Sequence, residues 1–178
     1  MQTKTRDLAL DAALVAALIA LDVVARLLPH APGFMPVAAS GLFAARMLRI
    51  APLAILVPVL GMVLSDMFLV GEDWRIQAVG FAAIAVPAVA GIASRRWQGA
   101  LPVLAVIVPS SILFFLLSNG AVWVFSGMYP PTLSGLVQCY AAALPFLDKT
   151  VLGDLFWTGV LFGGAWLVQH RPVMRRAH

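Results

Sequence analysis

From Trp97 to Leu147 the chain runs for 51 residues without an Asp, Glu, Lys or Arg. No soluble fold of this size needs such a run, because a water-facing surface must carry charge. Across all 178 residues only 11% are charged and 62% are hydrophobic, against about 25% charged in an ordinary globular domain. The solvent for most of this chain is therefore lipid. That composition excludes a cytosolic enzyme, a DNA-binding domain and a disordered tail, and the length fits one transmembrane domain over residues 1–178.

A bilayer core asks for about 20 apolar helical residues. Five segments satisfy this: Leu8 to Leu28, Ile50 to Val70, Ile76 to Ala93, Ala100 to Leu117 and Val151 to Val168. Phe34 to Ala45 and Thr132 to Leu147 are shorter. The basic residues choose among the alternatives. If Phe34 to Ala45 crosses and Thr132 to Leu147 does not, then Lys4, Arg6, Arg46, Arg49, Arg95, Arg96, Arg171, Arg175 and Arg176 share one side. By the positive-inside rule that side is the cytoplasm. Glu72, Asp73, Arg75, Asp148 and Lys149 fall on the other. The expectation is an all-α membrane protein, a six-transmembrane-helix bundle in a bacterial inner membrane with both termini cytoplasmic. A short outer or re-entrant helix, Thr132 to Leu147, precedes the last span and follows a long loop from Ser118 to Pro131. The net charge of +4 is spread in small groups, which reads as topology and not as a nucleic-acid surface.

Charged groups inside a span cost roughly 2.5 to 3.5 kcal/mol each, so each needs a partner or a wet cavity. Asp22 and Arg26 stand four apart on the first span and share a face, where they can pair. Asp66, Asn119 and Asp154 fall at a similar outer depth. Five polar groups at one level suggest an outward-opening pocket, with a structural ion-pair network as the plainer alternative. Trp123 and Tyr129 lie in the long, lid-length loop above it, where aromatics can form an interfacial belt or stack on a flat ligand; with Tyr140, and with His30 beside Pro29 as a hydrogen-bonding group, they complete the candidate substrate-binding set. Pro58, Pro87, Pro102 and Pro109 kink spans and can bow them around a cavity. The single cysteine, Cys139, permits no intramolecular disulfide, and no metal site or cofactor is expected.

On the first span Ala9, Ala13, Ala16 and Ala20 cluster on one face, opposite Asp11 and Asp22. Gly159 and Gly163 repeat that small-residue spacing on the last span. Such faces admit close helix packing, inside the bundle or against another protein. No phosphate-binding glycine loop, HExxH, GxSxG or cysteine pair is present, so the chain is not read as an enzyme, and any uphill transport needs energy from another subunit.

Two stretches carry a family resemblance: Leu28-Pro29-His30-Ala31-Pro32-Gly33-Phe34-Met35-Pro36-Val37, and Asn119 to Gly163 with Tyr129-Pro130, Cys139-Tyr140, Pro145-Phe146 and Gly153-Asp154-Leu155. On these the chain resembles an uncharacterised bacterial membrane family of unknown function. Gly33 and Met35 stand where that family is expected to carry Asn and Thr. The family in turn is similar in size, span count and hydropathy to the substrate-binding S components of energy-coupling-factor vitamin transporters. The resemblance implies an S-component-like bundle that binds a vitamin-like small molecule under its outer loops. It also implies that the alanine face of the first helix meets a membrane coupling subunit served by ATPases. The alternative function is a non-catalytic scaffold of the cell envelope.

The topology is testable. A membrane-impermeant thiol reagent on intact cells should label a cysteine introduced near residue 73 and not one near residue 174. The reverse pattern would overturn the orientation.

Overall fold

The computed structural model describes residues 2–69 and 73–170, with the backbone alone for residues 2–4. Lys4 is thus described by its backbone only, and Glu72, Arg171, Arg175 and Arg176 lie outside the described residues. Among the described residues six helices follow one another: α1 (Gln2–Leu27), α2 (Val37–Met47), α3 (Leu53–Asp66), α4 (Trp74–Ala93), α5 (Ala100–Phe125) and α6 (Leu133–Gln169). α1, α4, α5 and α6 are each long and apolar enough to cross a membrane, so this is an all-helical membrane protein. At about 1.5 Å per residue α2 and α3 reach only about 16 and 21 Å, less than a bilayer core.

The short α2 is the hub. It packs against all five other helices, while α1, α3, α4, α5 and α6 form an arc around it in that order. Its nine consecutive residues from Val37 to Ala45 are all buried, so every face of the helix is covered. The sequence Val-Ala-Ala-Ser-Gly-Leu-Phe-Ala-Ala permits this because small side chains let neighbouring backbones approach closely. Facing glycines do the same. A Cβ added at Gly91 of α4 would lie 2.8 Å from both Ala45 Cβ and Leu42 Cδ1, and one at Gly61 of α3 would lie 2.7 Å from Asp22 Cβ.

Basic side chains gather at one end. Arg95 donates to the carbonyls of Ala45 and Leu48, closing the C-terminus of α2. Arg46 donates to the Trp97 carbonyl at 2.7 Å. Asp7 of α1 pairs with Arg49, and Asp11 accepts from the Arg49 N–H at 3.2 Å. The hydrogen bond that Arg49 donates to the Asp7 carboxylate pushes the guanidinium above its ordinary value. The opposite end carries Arg26, Asp66 and the start of α4. There Asp73 caps α4 through the Arg75 N–H at 2.8 Å, and Arg75 stacks over the Phe125 ring. Hydrogen bonds from the Arg75 side chain, then from its backbone N–H, hold the Asp73 carboxyl below its usual value.

Two sequence expectations are corrected at this end. Thr132 to Leu147 is not a separate outer or re-entrant helix, because residues Leu133–Gln169 form one helix of 37 residues with Pro145 inside it. Asp148 and Lys149 interrupt the hydropathy but break no helix. At about 56 Å, α6 exceeds even the headgroup-to-headgroup thickness of about 40–45 Å, so it runs steeply tilted or past the headgroups. The loop from Ser118 to Pro131 is also largely helical. α5 continues to Phe125, and only Ser126 to Thr132 remain as a connection. Gly120 serves that hairpin, since a Cβ there would stand 3.2 Å from the Tyr140 hydroxyl on α6.

The close contact at Gly91 sets a test of the hub. Gly91→Ala should destabilise the detergent-solubilised protein by about 1–3 kcal/mol through overpacking. Gly163→Ala, whose added Cβ meets nothing within 4 Å, should lower the melting temperature not at all.

Candidate functional site

Asp22 lies in the middle of the bundle with no exposed surface. It does not pair with Arg26 as their spacing on one face suggests. Ser40 of α2 donates to Asp22 Oδ2 at 2.6 Å, and Asp22 Oδ1 has no hydrogen-bond partner. Arg26 instead reaches across to α3, where its Nη2 stands 2.6 Å from Asp66 Oδ1, with both side chains under a fifth exposed. The Arg26 Nε remains buried without a partner. Asp154, from α6, approaches from the other side and is 5% exposed. Ser111 of α5 donates to its Oδ2 at 2.6 Å.

Two cavities adjoin this cluster. One, of about 200 Å³, runs between α2, α4, α5 and α6 and is lined by Arg26, Asp154, Ser110, Ser111 and Thr150 among apolar neighbours. The other, of about 250 Å³, holds Arg26, Asp66, Gln77 and Ser118. Arg26, Met62 and Phe114 belong to both walls. A guanidinium thus stands between two small cavities, each with a carboxylate on its wall. The segment between α1 and α2 closes over the first. Gly33, with φ of 81°, passes so near α6 that a Cβ on it would lie 2.4 Å from Thr150 Oγ1. A Cβ on Gly153 would in turn lie 2.8 Å from Phe34 Cα. Gly33 and Met35 both line the cavity.

The remaining residues singled out from the sequence lie elsewhere. His30 is exposed, and its Nδ1 sits 2.6 Å from the Leu28 carbonyl. Asn119, Trp123 and Tyr140 belong to the α5–α6 hairpin. The Asn119 amide donates to the Phe115 carbonyl at 2.8 Å, the Trp123 indole to the Pro130 carbonyl at 3.1 Å, and the Tyr140 hydroxyl to the Leu116 carbonyl at 2.6 Å. Cys139 is buried against the Asn119 carbonyl. Tyr129 is half-buried in the connection. Trp123, Cys139 and Tyr140 hold the hairpin together, and none of these residues lines either cavity. Ala9, Ala13, Ala16 and Ala20 are all exposed on α1. The residues that sequence reasoning missed are Ser40, Ser110, Ser111 and Thr150. Hydroxyls in apolar runs at the depth of buried carboxylates were the signal available. Among the described residues no three His, Cys, Asp or Glu side chains come together as a metal site.

The DUF6580 family, described as a family of unknown function, matches residues 6–175. The chain belongs to this family. No curated protein and no solved structure matches it.

The ion pair can be weighed by breaking it and by replacing it. Removing Asp66 alone by Asp66→Ala strands a guanidinium that is mostly buried. It should cost up to about 3–5 kcal/mol, less whatever water reaches the pair. Arg26→Met with Asp66→Leu should recover most of that loss, read as melting temperature in detergent.

Proposed function

We propose that this protein is the substrate-binding subunit of a membrane uptake system. It takes a vitamin-like small molecule into the cavities around Arg26 and is energised by separate subunits. The observation that carries this reading is the sharing of Arg26, Met62 and Phe114 by both cavities. Each cavity alone is below the range of about 300–1,000 Å³ typical of ligand sites. A shift of the flexible Met62 side chain would join them into a site of that size. An anionic group on the solute would compete with Asp66 for Arg26, and an amine or hydroxyl at its other end would meet Asp154. The apolar walls from Val37, Ala83, Ile84 and Phe114 would take its hydrocarbon part. No chemistry of its own is assigned to the chain.

In this reading the bundle is S-component-like and counts six passes, α2 and α3 included, with both termini on the cytoplasmic side of a bacterial inner membrane. The exposed alanine face of α1 docks a coupling subunit. A membrane scaffold is the second reading, favoured by two unpartnered small-residue faces. Ala9, Ala13, Ala16 and Ala20 are exposed on α1, and added Cβ atoms at Gly159, Gly163 and Gly164 of α6 meet nothing within 4 Å.

A panel of water-soluble vitamins and their precursors, screened by thermal shift and native mass spectrometry, decides between them. Binding should be lost in Asp154→Asn and in Ala83→Phe, which fills the first cavity. Ala13→Leu should leave both melting temperature and binding unchanged while abolishing uptake in cells. Absence of any bound solute, with uptake unaffected by Ala13→Leu, would leave the scaffold.

A further inference from the structure

A cavity of about 690 Å³ lies at the opposite, basic end, between α2, the connection from α4 to α5, α5 and α6. Its wall divides by chemistry. Arg46, Arg95 and Gln98 form one part, and Val103, Leu104, Leu155 and Phe162 line another. Both guanidinium groups give their hydrogen bonds to neutral acceptors. Arg46 donates to the Trp97 carbonyl and, at 3.1 Å, to Ser94 Oγ. Arg95 donates to the carbonyls of Ala45 and Leu48. Among the described residues neither pairs with a carboxylate, since the ion pairs are Arg26–Asp66, Arg49–Asp7 and Arg75–Asp73. Two cations at the wall of one cavity therefore lack a counter-charge.

Further groups point the same way. Thr158 lines this cavity and is only 5% exposed, yet its Oγ1 has no hydrogen-bond partner, and neither does the buried Nε of Arg46. A buried polar atom without a partner costs free energy that a bound group can return. Gly159 also lines the cavity, and open space lies where its side chain would be.

We propose that this cavity binds one phospholipid with a net anionic headgroup. The headgroup phosphate sits on Arg46 and Arg95, and an acyl chain runs along Val103, Leu104, Leu155 and Phe162. Guanidinium forks match phosphate oxygens with two parallel hydrogen bonds, and basic pockets between transmembrane helices are established headgroup sites. A free anion would use the guanidinium groups and leave the apolar wall wet, whereas a lipid satisfies both. The site is separate from the cavities around Arg26 and does not depend on what they bind.

The test uses the full chain, delipidated in detergent, with phosphatidylglycerol, phosphatidylcholine and inorganic phosphate as probes. Phosphatidylglycerol should raise the melting temperature and give a one-to-one adduct in native mass spectrometry. Its apparent affinity should exceed that of phosphatidylcholine by about tenfold or more, the effect of about 1.4 kcal/mol. Arg46→Gln should erase that preference. Gly159→Leu, which meets open space in the lipid-free chain, should keep the unliganded melting temperature and lose the adduct, so it decides the matter even if Arg46→Gln does not fold. Equal binding of the two lipids, an unchanged adduct in Gly159→Leu, or inorganic phosphate reproducing the full shift would each overturn the proposal.

Discussion

Everything in this bundle depends on burying α2 on all sides. A helix of eleven residues cannot expose both its ends to water across a bilayer core, so its terminal backbone groups must be satisfied within the protein. At the C-terminal end the Arg95 guanidinium takes up the carbonyls of Ala45 and Leu48. Ser40, with no exposed surface, hands its hydroxyl to the carboxylate of Asp22. Small residues along α2, with Gly61 and Gly91 beyond them, hold the surrounding helices close enough for these bonds to form. The polar chemistry of both ends follows from that short central helix.

The same constraint explains why cavities open where they do. Since α2 is shorter than α4, α5 and α6, it does not fill the space between those helices centrally along their whole length. At its N-terminal end the gap is roofed by the Pro29–Pro36 segment resting on Thr150 and Gly153, and Arg26 with its two carboxylate-bearing walls occupies it. At its C-terminal end the gap is the larger cavity beside Arg46 and Arg95. Proline contributes in the first gap, where Pro87 of α4 is part of the wall. Pro58, Pro102 and Pro109 line none of these three cavities.

How much of this was legible in the sequence depended on whether a feature is local. The long apolar helices follow from length and hydropathy, and α1, α4 and α5 begin or end within a few residues of expectation except where α5 runs on to Phe125. The gathering of Arg46, Arg49 and Arg95 at one end was legible from charge spacing, because ions avoid lipid regardless of tertiary detail. The single α6 was not, because hydropathy reads Asp148 and Lys149 as an interruption while the backbone continues through them. The pairing of Asp22 with Arg26 also failed. Spacing within one helix says which groups share a face, but here Ser40 and Asp66 on neighbouring helices offered shorter bonds to each. Ser111 and Asp154 lie 43 residues apart, a partnership that only the packing of α5 on α6 creates.

The two ends of the molecule make opposite demands on the same chemistry. Around Arg26 the Asp66 carboxylate already pairs with the guanidinium, so the site carries its own counter-charge, and in the proposed function an anionic solute would exchange for it. Around Arg46 and Arg95 the balance is reversed and the cations face neutral carbonyls. A group that displaces Asp66 from Arg26 loses most of what it gains, because an existing ion pair of 2.6 Å must break. An anion that meets Arg46 and Arg95 breaks none. In the proposed uptake function, affinity at the first site would therefore come from shape and from the apolar walls, the features that discriminate among small ligands. At the second site charge itself contributes, and that suits a ligand class defined by its headgroup and not by its detailed shape.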